Sequence, residues 1–353
     1  MKEFNPDLVP PKAKILIIKL RSIGDMVYNT SVYAPLKKRW PDSHLTVVVE
    51  PASEGIVKNH PAVDETLCFR KNSWFRQILF YLRLFLRRYD VAIDMHEGPR
   101  GAMMCFVTGA RWRIGNKFAR RSFLYNTKLD FSDLQPRYPI DYQVALIRKM
   151  GVEFDKPAPA IYVSQAGREK ANSLLSSHGI FPDPFCILHP GVTRIFDRWQ
   201  PEKFAGVAEY CHSHHGLKIV LTSGPDQADQ AREVAAHMRN TPYALIIAPL
   251  EEMAAIAEKA KFVVCHNGGF MHLTAAMNTP VVALFGWANP NVWRPAGNRH
   301  AVVYKNLECS PCSQATIKAE CLQGDPECKR LITVEDVTRE IDGILKSSMV
   351  SGL

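Results

Sequence analysis

The sequence lacks any apolar run that approaches the roughly 20 residues a membrane-spanning helix needs. Its N-terminus, Met1-Lys2-Glu3-Phe4-Asn5-Pro6, has no apolar signal region. There is also no low-complexity tract and no repeat of solenoid period. With 46% apolar and 22% charged residues, the composition is that of a globular enzyme, and we expect a cytoplasmic protein.

Acidic residues are in short supply, because 35 Asp and Glu stand against 44 Lys and Arg, which gives a formal net charge of +9. Such a balance indicates an anionic partner. The charge alone leaves three classes of partner open: nucleic acid, an acidic lipid surface and a phosphorylated substrate.

The nine cysteines are scattered along the chain, which argues against a disulfide framework in a protein of this size. Four of them, Cys309, Cys312, Cys321 and Cys328, have the spacing C-x₂-C-x₈-C-x₆-C. Four thiols at such spacing are able to form a structural zinc site. We expect free thiols and no metal, with zinc as the alternative.

Two domains are expected, because 353 residues exceed the size at which a single hydrophobic core keeps growing. Residues 1–165 and 166–332 each alternate apolar strands with helical segments, as Rossmann-like domains do. A last helix in residues 333–353 is capped by Thr333, with Asp336 at its third position. This helix is predicted to pack back across the domains.

The first strand, Ala13–Leu20, leads into a loop with a single glycine, Gly24. A dinucleotide fingerprint has three spaced glycines, so the loop argues against NAD or FAD binding. The next helix is predicted over residues 32–40, with Ser31 as its cap. Asp25 lies at the sheet edge where open α/β folds bind ligands, and capping the following helix is its alternative role.

The segment from Phe262 to Gly286 has the pattern of a strand, a tight turn, a helix and a second strand. Its turn, His266-Asn267-Gly268-Gly269, precedes a helix that begins near Phe270 and carries His272. Glycines let the backbone approach a ligand, and a helix N-terminus presents unpaired N–H groups and a positive dipole end. The segment therefore predicts a phosphate site, and the alternative is a glycine turn that binds nothing.

A basic amphipathic helix is predicted over residues 72–88, with large apolar side chains on one face and Arg76, Arg83 and Arg87 on another. One interpretation is an ordinary helix that packs on the sheet and has a solvated face. The other is a patch that lies on an anionic membrane surface.

Polar residues after the next strand, Val91–Met95, also face the expected ligand edge of the sheet. A basic run from Arg111 to Arg121 follows and is able to grip phosphates or carboxylates of an acceptor, although a charge run is more often a solvated face. We take as acceptor-binding candidates Arg21, Asp94, His96 and Arg120.

The chain resembles glycosyltransferase family 9, the lipopolysaccharide heptosyltransferases, over nearly its whole length. The similar stretches are residues 14–21 with Gly24-Asp25, His189-Pro190-Gly191 leading to Trp199, residues 221–226, residues 267–272, Leu284-Phe285-Gly286 and Trp293-Arg294-Pro295. Residues 193–196 and the Ser-Gly-Pro-Asp run, residues 223–226, are most similar to the branch that adds a side heptose to the inner core.

The resemblance implies a GT-B architecture, in which two Rossmann-like domains face each other across a cleft. The C-terminal domain would hold an ADP-sugar as co-substrate, and the N-terminal one a lipid-linked acceptor, with no cofactor and no metal. The family's general base maps onto Asp25. The implied donor contacts are Thr193, Gly224, Gly268, Gly269, Phe270 and His272.

Two positions depart from the family pattern: Asn267 stands where an Asp is usual, and Asp197 where a phosphate-binding Lys is usual. We expect Arg198 to supply the missing cation, with Arg194 as the alternate, because guanidinium binds phosphate well and both lie on the loop beside Trp199. We therefore include Asn267, Arg194 and Arg198 among the donor-binding residues.

The function implied is inverting transfer of heptose, or a similar sugar, to a lipopolysaccharide inner-core acceptor. It would take place at the cytoplasmic face of the inner membrane, with peripheral membrane contact and without nucleic acid. The alternatives are another GT-B enzyme, a UDP-sugar transferase or an epimerase, and a degenerate member that binds sugar nucleotide or lipid without catalysis.

Overall fold

The computed structural model describes residues 3–132, 139–153, 158–297, 299–312, 320–321 and 323–350. The chain divides into two compact units, Met1–Tyr162 and Val163–Leu353. The second unit begins three residues before the predicted start of the second domain at residue 166.

A six-stranded parallel sheet in the order β3-β2-β1-β4-β5-β6 forms the centre of the first unit. Its strands are β1 Lys14–Ile18, β2 His44–Val49, β3 Glu65–Cys68, β4 Val91–Asp94, β5 Trp112–Asn116 and β6 Thr127–Leu129. Its helices are α1 Ile23–Asn29, α2 Tyr33–Arg39, α3 Glu54–Val57, α4 Trp74–Leu86, α5 Pro99–Val107 and α6 Pro139–Lys149. The central strand β1 is buried on both faces, as its continuous apolar run predicts.

The second unit repeats this plan with the sheet order β12-β11-β10-β7-β8-β9. Its strands are β7 Phe185–His189, β8 Lys218–Leu221, β9 Tyr243–Leu245, β10 Val263–His266, β11 Val281–Leu284 and β12 Ala301–Val303. Its helices are α7 Gln165–Ser177, α8 Pro201–His215, α9 Ala228–His237, α10 Leu250–Lys259, α11 Gly269–Ala276, α12 Pro290–Trp293, α13 Glu327–Arg330 and α14 Val334–Val350. Hydrophobic side chains form one core cluster on each face of this sheet.

The predicted helix over residues 32–40 is found as α2, Tyr33–Arg39. The sequence prediction missed the helix before it, α1, which begins at Ile23 with a capping box formed by Ser22 and Asp25. Ser31 does not cap a helix; its hydroxyl donates to the main-chain oxygen of Tyr28 at 2.6 Å.

The last helix, α14, begins with the predicted capping box, since Thr333 N donates to Asp336 Oδ2 at 2.8 Å and Asp336 N donates to Thr333 Oγ1 at 3.2 Å. It packs against α8, β11 and β12 of its own unit. Packing across both domains stays a prediction.

Helix α4 exposes its apolar side, contrary to the expectation that this side packs on the sheet. It is attached through Phe80, Tyr81 and the buried Leu84, and both aromatic rings lie against Phe69. The exposed large apolar residues are Trp74, Phe75, Ile78, Leu79, Leu82, Phe85 and Leu86. Two of the three arginines that the membrane interpretation assigns to the lipid surface, Arg83 and Arg87, form ion pairs with Glu65 of β3. These two side chains therefore stabilise the attachment of α4 to the sheet.

Within the described ranges, none of the helices is long and apolar enough to cross a membrane.

Candidate active site

The predicted donor residues gather at one edge of the second sheet. Strands β8, β7 and β10 are adjacent and parallel, so their carboxyl ends meet there. Thr193 follows β7, Gly224 follows β8, and the turn Asn267-Gly268 follows β10. These are the positions at which open parallel sheets bind ligands.

The N-terminus of α11 is open to an anion. Gly268 is its N-cap residue, is exposed, and has open space where a Cβ would lie. No side chain caps this helix and its first turn has no acidic residue. The first-turn N–H groups, with the positive end of the helix dipole, are therefore available to a phosphate.

Phe270 and His272 follow on the same helix. The ring of Phe270 stacks on His189, the last residue of β7, with centroids 4.2 Å apart and planes 20° apart. Burial lowers the pKa of His189 to about 3, so its imidazole is neutral at pH 7. His272 is buried one turn into the helix.

Polar side chains before and within α9 hold the loop after β7. Gln230 fixes the backbone of Val192 through two hydrogen bonds, of 3.0 Å to its N–H and 2.9 Å from the Gln230 amide to its carbonyl. Gln227 Nε2 donates to Thr193 Oγ1 at 3.3 Å. Gly191 allows this packing, since a Cβ there would lie 2.9 Å from Gln227 Oε1.

The two candidate cations of this loop lie in different surroundings. The guanidinium of Arg194 lies over the indole of Trp287, 4.2 Å from the ring centroid, in the segment after β11. Arg198 forms an ion pair with Glu233 of α9 and lines a cavity of about 280 Å³ with Glu233, Asp325 and Arg330. The Arg198 guanidinium is thus paired with a carboxylate, and the donor roles of Arg194 and Arg198 both stay predictions.

Asp25 lies in the first unit, at the third position of α1. Its Oδ2 accepts hydrogen bonds from Ser22 N at 3.2 Å and Ser22 Oγ at 3.1 Å. Its Oδ1 lies 3.9 Å from Lys19 Nζ, and the side chain is 34% exposed. The carboxylate thus caps the helix through one oxygen and remains accessible.

Asp94 is fully buried at the end of β4, and its donors come from the protein itself. Its carboxylate accepts from Tyr125 OH at 2.6 Å and from the main-chain N–H groups of His96 and Glu97 at 2.8 and 3.1 Å. Burial raises the pKa of Asp94 to about 6. Through these hydrogen bonds Asp94 stabilises the conformation of the loop after β4. Direct contact of Asp94 with an acceptor stays a prediction.

The other acceptor candidates lie closer to solvent. His96 is half-buried, and burial together with the charges of Lys19 and Arg21 lowers its pKa to about 4. Arg21 and Arg120 are exposed. Lys19 Nζ lies 3.9 Å from Asp25 Oδ1 and donates a hydrogen bond to the carbonyl oxygen of Met95 at 3.0 Å. The loop after β1 therefore lies beside the loop after β4.

Several residues at these edges escaped the sequence predictions. His189, Gln230, Trp287 and Lys19 all contact a predicted site residue or its loop. His189 and Lys19 lie at the ends of apolar strands, a position that signals a ligand edge. Gln230 and Trp287 carry no local signal, because their partners are 38 and 93 positions away along the chain.

The four C-terminal cysteines lie in a segment whose residues 313–319 and 322 are outside the described ranges. Cys309, Cys321 and Cys328 are free thiols. Burial raises the pKa of Cys328 to about 11, which disfavours its thiolate. In the part of the chain that the structure describes, no three His, Cys, Asp or Glu side chains are grouped to hold a metal ion.

Comparison with known proteins identifies relatives for the chain. A model of glycosyltransferase family 9 (heptosyltransferase) matches residues 80–323. Lipopolysaccharide heptosyltransferase 3 of Escherichia coli is 25% identical over 292 residues, which cover 79% of this chain and 85% of the relative.

Two solved structures match nearly the whole fold. The glycosyltransferase family 9 structure from Veillonella parvula has a TM-score of 0.82 at 22% identity and covers 95% of this chain and 98% of its own. The E. coli ADP-heptose lps heptosyltransferase II has a TM-score of 0.78 at 21% identity, covering 95% and 99%. These matches confirm the predicted α/β GT-B architecture. Since the relatives bear the names of more than one branch, the side-heptose branch stays a prediction.

Proposed function

This chain belongs to glycosyltransferase family 9, and we propose that it transfers heptose, or a similar sugar, from an ADP-sugar to a lipopolysaccharide inner-core acceptor with inversion. Membership of the family confirms the prediction that the protein is a glycosyltransferase. The names of the relatives, an ADP-heptose heptosyltransferase and a lipopolysaccharide heptosyltransferase, support the donor and the acceptor class.

The observation that carries the proposal is the uncapped N-terminus of α11 at the edge where β7, β8 and β10 end. Its dipole supplies about half an elementary charge, so a diphosphate leaving group needs at least one cation besides. Arg194 meets that need, because its guanidinium lies over Trp287 and the ring holds it in place. Thr193, Asn267, Gly268, Gly269, Phe270 and His272 complete the donor site, and Gly224 lies at its β8 side.

The reaction needs one base and a neutralised leaving group. The acceptor hydroxyl oxygen attacks the anomeric carbon, the bond from that carbon to the diphosphate oxygen breaks, and the diphosphate leaves with the electron pair. Asp25 takes the hydroxyl proton, which lowers the barrier by roughly 3–5 kcal/mol. The leaving diphosphate needs no proton, so a second carboxylic acid is not required, and neither a cofactor nor a metal takes part.

Arg21, His96 and Arg120 of the first unit supply the acceptor contacts. An inner-core acceptor carries acidic groups, which suit two exposed guanidinium groups. Asp94 positions His96, because its carboxylate accepts a hydrogen bond from the backbone N–H of His96.

The lipid-linked acceptor requires the enzyme at a membrane surface, and we place it on the cytoplasmic face of the inner membrane. The apolar side of α4 provides the contact, since Trp74 and Leu86 are 74% and 66% exposed. Exposed Phe106 and Phe123 lie on α5 and on a short 3₁₀ helix, and α5 packs against both that helix and α4. Apolar side chains with arginines nearby are typical of helices that lie in an anionic lipid interface.

Titration calorimetry with ADP, UDP and GDP tests the donor site. We expect ADP to bind most tightly to the parent protein. Arg194→Ala should weaken ADP binding by roughly 1.5–3 kcal/mol, the range for a hydrogen bond to a charged group. Arg198→Ala is the matched control from the same loop, and its effect should be under half as large.

Three outcomes would redirect the proposal. Tighter binding of UDP than of ADP would favour the UDP-sugar transferase or epimerase. ADP binding that leads to no sugar transfer would favour the non-catalytic member. Equal affinity of the parent, Arg194→Ala and Arg198→Ala for ADP would remove the diphosphate from this loop.

A further inference from the structure

A buried ion pair joins three segments of the second unit next to the glycine turn. Lys329 Nζ of α13 lies 3.2 Å from Oδ1 of Asp197, in the loop after β7, and the two side chains are 1% and 2% exposed. Lys329 Nζ also donates to the carbonyl oxygen of Leu284, the last residue of β11, at 2.6 Å. Gly286 makes room for the lysine, since a Cβ there would lie 2.9 Å from Lys329 Cε.

Asn267 completes this cluster. With its amide nitrogen turned toward the two acceptors, Asn267 donates to the Leu284 carbonyl and to Asp197 Oδ2, at 3.2 Å each. An aspartate at position 267 would bring a second carboxylate against Asp197, and two buried like charges at that distance repel. The amide at 267 and the carboxylate at 197 therefore depend on each other.

Stability alone does not account for the pair. Burial raises the pKa of Asp197 and lowers the pKa of Lys329, so each charge is costly where it lies. Apolar residues of similar volume commonly stabilise a protein interior as well as a buried ion pair does. The charged cluster also fixes how the segments are placed relative to one another, because each of its hydrogen bonds and ion pairs joins atoms of different segments.

The segments joined are those that carry the donor residues. Asp197 lies three positions after Arg194, and Asn267 immediately precedes Gly268. We propose that Lys329 and Asp197 are positioning residues of the donor site, which with Asn267 hold the loop after β7 and the glycine turn in one relative arrangement. This inference rests on the proposed function, because it assumes that the two segments grip one nucleoside diphosphate.

Lys329→Gln tests the cation. Glutamine keeps most of the side-chain length and one amide donor group but leaves the Asp197 carboxylate without a charge partner. We expect the Kd for ADP to rise at least tenfold and the KM for the ADP-sugar to rise with it, while kcat falls less than threefold. Lys305→Gln is the control, since it removes a lysine that pairs with Asp336 near the surface of the same unit, and it should bind ADP like the parent.

Asn267→Asp, alone and combined with Asp197→Asn, tests the coupling. The single variant should weaken ADP binding at least tenfold, and the double variant should recover to within threefold of the parent. The double variant has the amino-acid composition and charge of the parent, so it remains measurable where the single variant does not fold.

Thermal unfolding and ADP titration together separate positioning from a purely structural role. Variants that melt earlier but bind ADP as the parent does, at a temperature where they are folded, would overturn the inference, as would a double variant that binds no better than Asn267→Asp. A parent protein that binds no nucleoside diphosphate would instead end the proposed function.

Discussion

Asp25 uses its two carboxylate oxygens differently. Oδ2 accepts both hydrogen bonds from Ser22 and so caps α1, whereas Oδ1 lies 3.9 Å from the Lys19 ammonium. A cap and a general base are therefore compatible in one residue.

Asp25→Asn separates the two roles. The amide oxygen of asparagine is able to keep the bonds from Ser22, so the fold should survive, but the amide does not take a proton. Turnover should fall by about 10² or more, while the Kd for ADP changes little. Initial-rate kinetics and ADP titration measure both.

Ser22→Ala is the control for this prediction. It removes one bond to Oδ2 and leaves the carboxylate intact, so it should lower the melting temperature more than the turnover. Near-normal turnover in Asp25→Asn would transfer the base to His96, and an unfolded Asp25→Asn protein would leave the helix cap as its only role.

Helix α4 leaves its apolar side unpacked. Its attachment seam is narrow, since only Leu84 is fully buried and Phe80 and Tyr81 are partly so. Seven large apolar side chains face away from the core. The ion pairs of Arg83 and Arg87 with Glu65 hold the helix in this orientation.

Trp74→Glu combined with Leu86→Glu should abolish co-sedimentation with anionic lipid vesicles. Both side chains are highly exposed, so the fold should be retained, while burying two carboxylates in an anionic interface is unfavourable. Circular dichroism checks the fold, and sedimentation with vesicles that contain anionic lipid measures binding.

Tyr243→Glu serves as the control, because Tyr243 is an exposed large side chain of the other unit. It should bind vesicles like the parent. If the α4 variant also binds like the parent, the apolar side of α4 is not the lipid contact.

The stability of the whole molecule depends on pH through the ionisable groups it buries. Asp94 has a folded-state pKa of about 6, raised by burial above its ordinary value of 3.8. Its contribution is therefore fully present below pH 3.8 and is lost as the pH rises through 6. His60 and His189 act in the opposite direction, since burial lowers their pKa values to about 4 and 3 and the folded protein resists their protonation.

Asp94→Asn isolates the carboxylate from this background. The histidines are common to both proteins, so they cancel in the difference between the two unfolding free energies. Relative to the parent, the variant should lose roughly 2–3 kcal/mol of stability between pH 8 and pH 4, because only the parent gains a stabilising proton. Urea unfolding at both pH values measures the difference, and a difference that is independent of pH would contradict the burial of an ionised Asp94.

Local patterns predicted much of the fold and the donor edge. The helix predicted over residues 72–88 forms as α4, Trp74–Leu86, and Thr333 caps α14 as expected. The glycine turn after Cys265 forms the open N-terminus of α11. Such features depend on residues one to four positions apart, so a single sequence contains the information for them.

Only the tertiary structure decided which partners the charged side chains of the site regions have. Arg198 forms an ion pair with Glu233, Asp94 accepts a hydrogen bond from Tyr125, and Asp197 forms an ion pair with Lys329, over separations of 35, 31 and 132 positions. The same holds for α4, whose amphipathic sequence marks an apolar side but not whether a sheet or a membrane covers it. Contacts between distant positions follow from the packing of whole elements, which no local pattern specifies, and they determine where charge and apolar surface remain available for function.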